Sequence, residues 1–273
     1  MNTKVTILSL GGGIQSTALA LLLDEGRLDG YRKPDCAIFA DTQAEPEWVY
    51  QTVGALRERV SYPVVTATAG SLAQDTWAII LGKEPESGRK AGGYIDIPAF
   101  GGETGGLVKR QCTSNYKIRV IKRKIRELYG WPIQVIQYLG ISADEAVRMR
   151  SSAEKYIRLE YPLAMSRLSR HDCQEYLRAE APDIPVGRSA CYFCPFHSMP
   201  EWDALSKQAP ELYEDACRMD VALANAPRGP FSLVKGGLGL REKLAEWQAQ
   251  KELQGALDFG PPKADECAGV CFV

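Results

Sequence analysis

The sequence predicts an α/β fold, a parallel sheet covered on both faces by helices and followed by a helical extension. Three observations carry that prediction. The stretch Val5–Leu23, VTILSLGGGIQSTALALLL, passes from an apolar β-type run through three glycines into a helical pattern. Short β-type runs then alternate with helical ones as far as about Pro162, which is the rhythm of βαβ units. Beyond Pro162 the strand-like runs stop and helical periodicity takes over.

Each element has its own residue logic. Val5, Ile7 and Leu8 suit a buried strand, Gly11, Gly12 and Gly13 permit turns closed to residues with a Cβ, and Ser16 is the expected N-cap of the next helix. Cys36–Ala40, Pro63–Thr68 and Ile133–Leu139 read as further strands, with helices near Ser16–Asp24, Glu47–Val60 and Tyr116–Tyr129. The later helical runs are Ser169–Glu180, Pro210–Leu223 and Leu240–Leu253. Gly82–Gly106 is glycine-rich and aperiodic, so it is expected as a long mobile loop of the kind that serves as a lid. The expected division is residues 1–165 as the α/β domain and 166–273 as the helical region.

A chain of 273 residues with 45% hydrophobic and 25% charged residues can bury a substantial core. Its net charge of −1 supplies no global field pointing to nucleic acid or membrane. Apolar runs stay well short of the ~20 residues that span a bilayer, and the N-terminus enters a strand without a charged prelude, so a cytoplasmic location without a membrane partner is expected. Eight cysteines in that setting read as ligands or redox groups rather than disulfides.

The glycine loop is an expected phosphate site. A helix N-terminus carries unsatisfied N–H donors and a positive dipole end, and glycines let a phosphate approach the backbone. A glycine turn with no ligand is the alternative reading of the loop taken alone. The Walker loop and the dinucleotide loop are both excluded, since neither Gly-Lys-Ser/Thr nor Gly-x-Gly-x-x-Gly is present here. Gly11-Gly12-Gly13-Ile14-Gln15-Ser16 instead resembles Ser-Gly-Gly-x-Asp-Ser, the signature of the PP-loop ATP pyrophosphatases.

Further segments extend the resemblance to the phosphoadenosine phosphosulfate (PAPS) reductase branch of those enzymes. Phe39-Ala40-Asp41-Thr42-Gln43-Ala44-Glu45-Pro46-Glu47 is similar to that branch's Asp-Thr pair with acidic and proline residues at a strand end. Leu139-Gly140-Ile141-Ser142-Ala143-Asp144-Glu145-Ala146-Val147-Arg148 resembles its Gly-Ile-x-x-Asp-Glu-x-x-Arg, and Tyr161-Pro162-Leu163 before Ser169-Arg170-His171-Asp172-Cys173 resembles its Pro-Leu stretch. The resemblance implies a doubly wound, adenine nucleotide α-hydrolase-like sheet that binds ATP or a related adenine nucleotide, with magnesium, at the carboxyl ends of its strands. It places Ser9, Gly11, Gly12, Gly13, Gln15, Ser16, Thr17, Asp41, Thr42, Gly140, Asp144, Glu145 and Arg148 around the cofactor, with Asp41 also in a catalytic position. Two departures stand out: Gly11 replaces a serine and Gln15 an aspartate, so a hydroxyl and a carboxylate are missing near the phosphates. On the residues alone, Asp144 and Arg148 also read as an ordinary i, i+4 pair on a solvated helix start.

The cysteines give the second signal. Cys191-Tyr192-Phe193-Cys194-Pro195 is a Cys-x-x-Cys grip followed by proline, suited to one metal or to two corners of an iron–sulfur cluster. Cys36, Cys173 and Cys217 lie inside strand or helix patterns and read as small buried hydrophobes. By resemblance to cluster-bearing sulfonucleotide reductases, Cys112 stands where a Cys-Cys pair is found, with Gln111 in place of its neighbour. That implies a 4Fe-4S cluster on Cys112, Cys191 and Cys194, its fourth iron open to sulfide or closed by Cys267 or Cys271. Zinc on the same thiolates is the alternative. Glu266-Cys267 also resembles the reductases' Glu-Cys-Gly, which would make Cys267 or Cys271 a catalytic nucleophile, although Ala268 intervenes before Gly269.

Lys109, Arg110, Lys117, Arg119, Lys122, Arg123, Lys124 and Arg126 form a basic segment, read either as a solvated helix face or as a phosphate-binding surface. His171 and His197 are the two histidines, and His197, close after Cys194, reads as a surface group or as a support behind the Cys-x-x-Cys. The leading functional expectation is ATP-driven sulfur transfer, in which an adenylated acceptor, tRNA, DNA or a small molecule, takes sulfur from a donor. One rival is a thiol-dependent sulfonucleotide reductase drawing on a reductant. The other is a zinc-stabilised nucleic-acid-binding module without catalysis. A homo-oligomer is compatible with all three.

Overall fold

The computed structural model describes residues 3–85, 95–101, 106–226 and 229–255. They form two compact units. One comprises the chain up to Ala69 together with Ser114–Ser189; the other comprises Gly70–Thr113 and the residues from Ala190 onward. The chain thus leaves the first unit after its third strand and returns, and the boundary expected at residue 165 falls inside that unit.

The first unit is built on β1 (Thr3–Leu10), β2 (Cys36–Asp41), β3 (Val64–Thr68), β6 (Ile133–Leu139) and β7 (Ile157–Glu160), joined in the order β3-β2-β1-β6-β7. Every neighbouring pair is parallel. Period-two alternation sends side chains to two different cores. Val5 and Ile7, Cys36 and Ile38, and Ile133 and Val135 pack with Val120, Ile121 and Ile125 of α4 (Arg119–Tyr129). Leu8 and Leu10, Ala37 and Phe39, and Tyr138 pack on the opposite face. There they meet α1 (Ile14–Asp24), α2 (Glu47–Arg59) and α6 (Arg170–Glu180) through Leu19, Val53, Leu56 and Leu177. Helices on both faces of a parallel sheet make this a doubly wound α/β fold. Strand order reverses between β1 and β6, so the crevice at their carboxyl ends is the place such sheets offer a ligand.

The helix expected at Tyr116–Tyr129 begins earlier, as a π-helical turn over Thr113–Ile118 leading into α4. Fully buried Tyr116 anchors that turn. Between β6 and β7, Ala143–Arg148 is a 3₁₀ segment, and the four-residue α5 (Pro162–Met165) precedes α6.

The second unit contains α3 (Leu72–Ile80), the short strands β4 (Phe100–Gly101), β5 (Gly106–Leu107) and β8 (Phe231–Ser232), and α7 (Met199–Gln208), α8 (Pro210–Ala224) and α9 (Leu240–Gly255). Its strands pair antiparallel in the order β5-β4-β8. Strand structure therefore continues beyond Pro162, contrary to the sequence pattern, because two-residue strands are too short to show alternation. Buried Asp220 organises this region by accepting hydrogen bonds from Ser232 Oγ (2.9 Å), Leu233 N (2.6 Å) and Leu240 N (2.7 Å). Of the expected Gly82–Gly106 loop, residues 86–94 and 102–105 lie outside the described residues, and the rest includes β4. No described helix is long and apolar enough to cross a membrane.

Candidate functional site

The glycine loop joins β1 to α1 at the strand-order reversal. Gly12 has φ +72°, and a Cβ there would lie 2.8 Å from Val49 Cγ1 and 3.3 Å from Val53 Cγ2. Glycine is required by both backbone angle and space. Gly13 is the N-cap of α1, and Ser16, expected in that role, sits three residues further in. The Ser16 hydroxyl accepts from Gly11 N (3.3 Å) and Gly13 N (3.2 Å) and donates to Gly13 O (3.1 Å). Two of the three loop N–H groups are thereby committed to Ser16. The donors left for an anion are those of Gly12 and of the first helical turn, Ile14, Gln15 and Ser16, which have no intrahelical acceptor.

Gln15 is the hub of the first turn. It is 9% exposed, and its amide nitrogen donates to Ser142 Oγ (3.1 Å) and Glu145 Oε2 (2.6 Å). Its carbonyl oxygen accepts from Arg170 Nη1 (2.9 Å). Glu145 also pairs with Arg148, Nη1 to Oε1 2.6 Å, so the i, i+4 pair expected between Asp144 and Arg148 is replaced by an i, i+3 pair one residue on. The tighter turn of the 3₁₀ segment brings positions three apart into line. Asp144 instead accepts from Arg170 N (2.8 Å). Burial pushes the Asp144 carboxyl up, but hydrogen bonds from Ser142 and from the Arg170 backbone outweigh it and hold the group below its ordinary value. The side chain at position 15, a glutamine where the resemblance has aspartate, is thus a neutral relay between the Glu145 carboxylate and the Arg170 guanidinium.

Gly140 lets the β6 exit meet the loop: a Cβ there would lie 2.9 Å from both the N and the Cα of Ser16. Behind it, fully buried Ser9 accepts from Gln137 Nε2 (2.6 Å), which ties its hydroxyl into the sheet. Thr17 is also fully buried, and its hydroxyl has no hydrogen-bond partner among the described residues.

Asp41 ends β2. Its Oδ1 accepts from Gln43 N (2.7 Å) and Tyr50 Oη (3.0 Å), and Gln43 takes φ +54°. Burial, then the charge of Asp41, raises the Tyr50 phenol well above its ordinary value, which keeps it a donor to that carboxylate. Thr42 is buried and donates to Glu45 (3.4 Å), whose buried carboxylate pairs with Lys117 at 3.6 Å. The structure brings the loop, Gln15, Gly140, Glu145 and Arg148 together at the β1–β6 reversal and sets Asp41 and Thr42 at the neighbouring strand end. Sequence reasoning missed Arg170, Ser142 and Tyr50 as partners here, although Arg170 and Ser142 lie inside the quoted motifs.

Within this unit several cations of the basic segment have partners in the protein. Lys122 pairs with Glu154 (2.7 Å), Lys124 with Glu127 (2.7 Å), and Arg123 donates to Thr68 O (2.5 Å). Arg126 lies 5.4 Å from the centroid of the Trp131 ring and 5.5 Å from that of Tyr156. In the second unit Arg110 stacks over Phe196 at 5.8 Å.

The second unit also holds Cys112, Cys191 and Cys194, all half-buried thiols outside any disulfide. Cys191–Cys194 is a turn closed by Cys194 N to Cys191 O (2.9 Å), and His197 N bonds Cys194 O (3.0 Å). His197 packs edge-on against the buried Trp202, centroids 4.7 Å apart, so it is a packed group rather than a loose surface one. Cys112 N and Gln111 N share Asp96 O, each at 2.8 Å. Among the described residues no three of His, Cys, Asp and Glu are grouped so as to hold a metal ion. The described residues thus show no assembled metal-ion site around these three cysteines. Cys267 and Cys271 lie outside the described residues. Cys36 and Cys173 are buried, and burial raises their thiols to about 11 and about 12, which fits the packing role expected of them.

No protein-family model and no curated protein matches the sequence. Among solved structures, the chain is similar to phosphoadenylyl-sulfate (PAPS) reductase from Candida auris in its phosphate complex. That match has 13% identity, covers 69% of this chain and 76% of the other, and has a TM-score of 0.38. A second is the U34-tRNA thiolase NcsA from Methanococcus maripaludis with its [4Fe-4S] cluster, at 16% identity, 80% and 71% coverage and a TM-score of 0.39. With scores this low, the fold assignment rests on the strand order and register above.

Proposed function

We propose that this chain is a PAPS reductase-like PP-loop enzyme that binds ATP or a related adenine nucleotide and uses it to activate an acceptor for sulfur transfer. The observation that carries the proposal is the position of the glycine loop. It lies at the topological reversal of a doubly wound sheet, with Gly12 N–H and the first-turn N–H groups of α1 as donors and Arg170 one hydrogen bond from Gln15. In this reading the acceptor oxygen attacks the α-phosphorus, the bond to pyrophosphate breaks, and pyrophosphate leaves towards the loop. A sulfur nucleophile then forms a bond to the acceptor carbon as that carbon's bond to oxygen breaks and adenylate departs. The chain contributes position and charge stabilisation. Magnesium would arrive on the phosphates, keeping most of its waters, with Asp41 as the nearby carboxylate. Cys112, Cys191 and Cys194, with Cys267 and Cys271, are assigned to the sulfur side, and no step is routed through a cluster.

Calorimetry with ATP and a pyrophosphate-release assay test the proposal. Binding of ATP in the presence of magnesium, with pyrophosphate release stimulated by a tRNA, DNA or small-molecule acceptor, is the expected result. Absence of both binding and release overturns it.

A further inference from the structure

The loop is held from one further direction. Ser189 donates its hydroxyl to Gly11 O, and a Cβ on Gly13 would lie 3.1 Å from Ser189 Cβ. Ser189 is half-buried and is separated from Gly11 by 178 positions in sequence. It ends a strap, residues 185–189, fastened to α2 at successive points. The Thr52 hydroxyl is shared between Trp48 O (2.8 Å) and Pro185 O (3.0 Å), and Trp48 Nε1 donates to Arg188 O (3.1 Å). Gly187 lies so close to the indole that a Cβ there would be 2.8 Å from Trp48 Cδ1 and Nε1. The strap is thus seated before it reaches the loop, and Ser189 presents its hydroxyl from a fixed backbone.

We infer that Ser189 is a positioning residue for the nucleotide phosphates, acting through the Gly11–Gly12 peptide; this rests on the nucleotide reading above. That peptide is trans, since the cis bonds of the described chain are at Pro132 and Pro230. In a trans peptide the C=O and N–H point in opposite directions. Holding Gly11 C=O towards Ser189 therefore turns Gly12 N–H away from the strap. Gly12 N–H is the loop donor that Ser16 does not occupy. Without the Ser189 bond, two glycines leave the peptide free to rotate, because Gly11 and Gly12 have no side chains to oppose it. Ser189 thus acts from the side of the loop opposite the Gly12 donor, and it determines whether the loop offers a donor or an acceptor to an anion.

The test compares wild type with Ser189→Ala, using ATP, inorganic pyrophosphate and adenosine as probes in calorimetry. Losing one donor to a charged group predicts that ATP and pyrophosphate bind about tenfold more weakly. Adenosine affinity and melting temperature should stay at the wild-type values, which a general loosening of the site would not allow. Unchanged ATP affinity in Ser189→Ala overturns the inference and leaves the nucleotide reading standing, as does an equal loss for ATP and adenosine. A wild-type protein that binds neither ATP nor pyrophosphate overturns both.

Discussion

The glycine loop and the Cys-x-x-Cys turn are both short motifs, yet they differ in what completes them. The loop's chemistry is carried by backbone N–H groups, and Gly12, Gly13 and Gly140 supply the conformations and close approaches that aim them. Strand, turn and helix bring these donors together, and the bond from Ser189 to Gly11 O fixes the aim of the one on Gly12. The turn at Cys191–Cys194 aligns two thiols and needs side chains from elsewhere to become a metal site, which the described residues do not gather. A backbone-built site is thus outlined by local structure and aimed by one distant contact, whereas a side-chain-built one has no outline until the chain brings its ligands together.

The sharpest way to break the first half of that comparison is Gly12→Val. The substitution meets Val49 Cγ1 and a positive φ together, so it should reduce ATP affinity by more than about 100-fold and also destabilise the fold by roughly 2–4 kcal/mol. Calorimetry and urea unfolding would measure the two effects. A full-strength site in a Gly12→Val protein would show that the loop does not bind phosphate.

Gln15→Glu tests whether the neutral relay is needed. The substitution is isosteric and puts a second carboxylate oxygen at the 2.6 Å contact with Glu145, partly offset by Arg170. A loss of roughly 1–3 kcal/mol is expected at neutral pH. The shared site raises the carboxyl pKa in the folded state, so the deficit should grow as pH rises through the ordinary carboxylate range near ~4 and shrink on acidification. A deficit independent of pH would remove the like-charge contact as its cause.

For the second half, Cys191→Ala and Cys194→Ala should leave ATP affinity within about twofold of wild type, since neither thiol belongs to the glycine-loop site, and should abolish sulfur incorporation. Brief alkylation of the native protein should label Cys112, Cys191 and Cys194 before Cys36 and Cys173, whose thiols are buried and raised to about 11 and about 12. Loss of ATP binding in either cysteine variant would mean that the two motifs are not separable.

The same contrast explains what could be read in advance. The β1 and β2 strands and the loop between β1 and α1 were visible because Val5, Ile7, Cys36 and Ile38 alternate with a second apolar set and three glycines break the pattern. α3 was missed because its nine residues make too few turns for helical periodicity to stand out, and β7 because four residues show too little alternation. The excursion of residues 70–113 into the second unit has no local signature; it is a matter of which surfaces pack together. Ser16 was given the wrong role because a serine at a helix start favours the N-cap, while Gly13 already holds that position. The partners of Gln15 are 127 to 155 positions away, and no periodicity reports contacts at that separation.

The smallest expected effect sharpens the account of how the 3₁₀ segment is held. Asp144 takes its bonds from Ser142 and from the Arg170 backbone, and these lower its pKa against the opposing effect of burial. A depressed carboxyl contributes stability above its unfolded pKa and loses it as pH falls through the folded value. Asp144 is exposed, so solvent screening discounts the contribution to about 0.5 kcal/mol. Asp144→Asn should therefore lower stability by that amount at pH ~7 and match wild type well below pH ~4, where the native carboxyl is itself protonated. The amide oxygen of Asn can still accept from Arg170 N, as a weaker neutral acceptor, and Arg170 keeps its bond to Gln15, so ATP affinity should change by less than about twofold. A large loss of affinity would show that Arg170 reaches its place through Asp144 and would move the anchor of the site from the glycine loop to the start of α6.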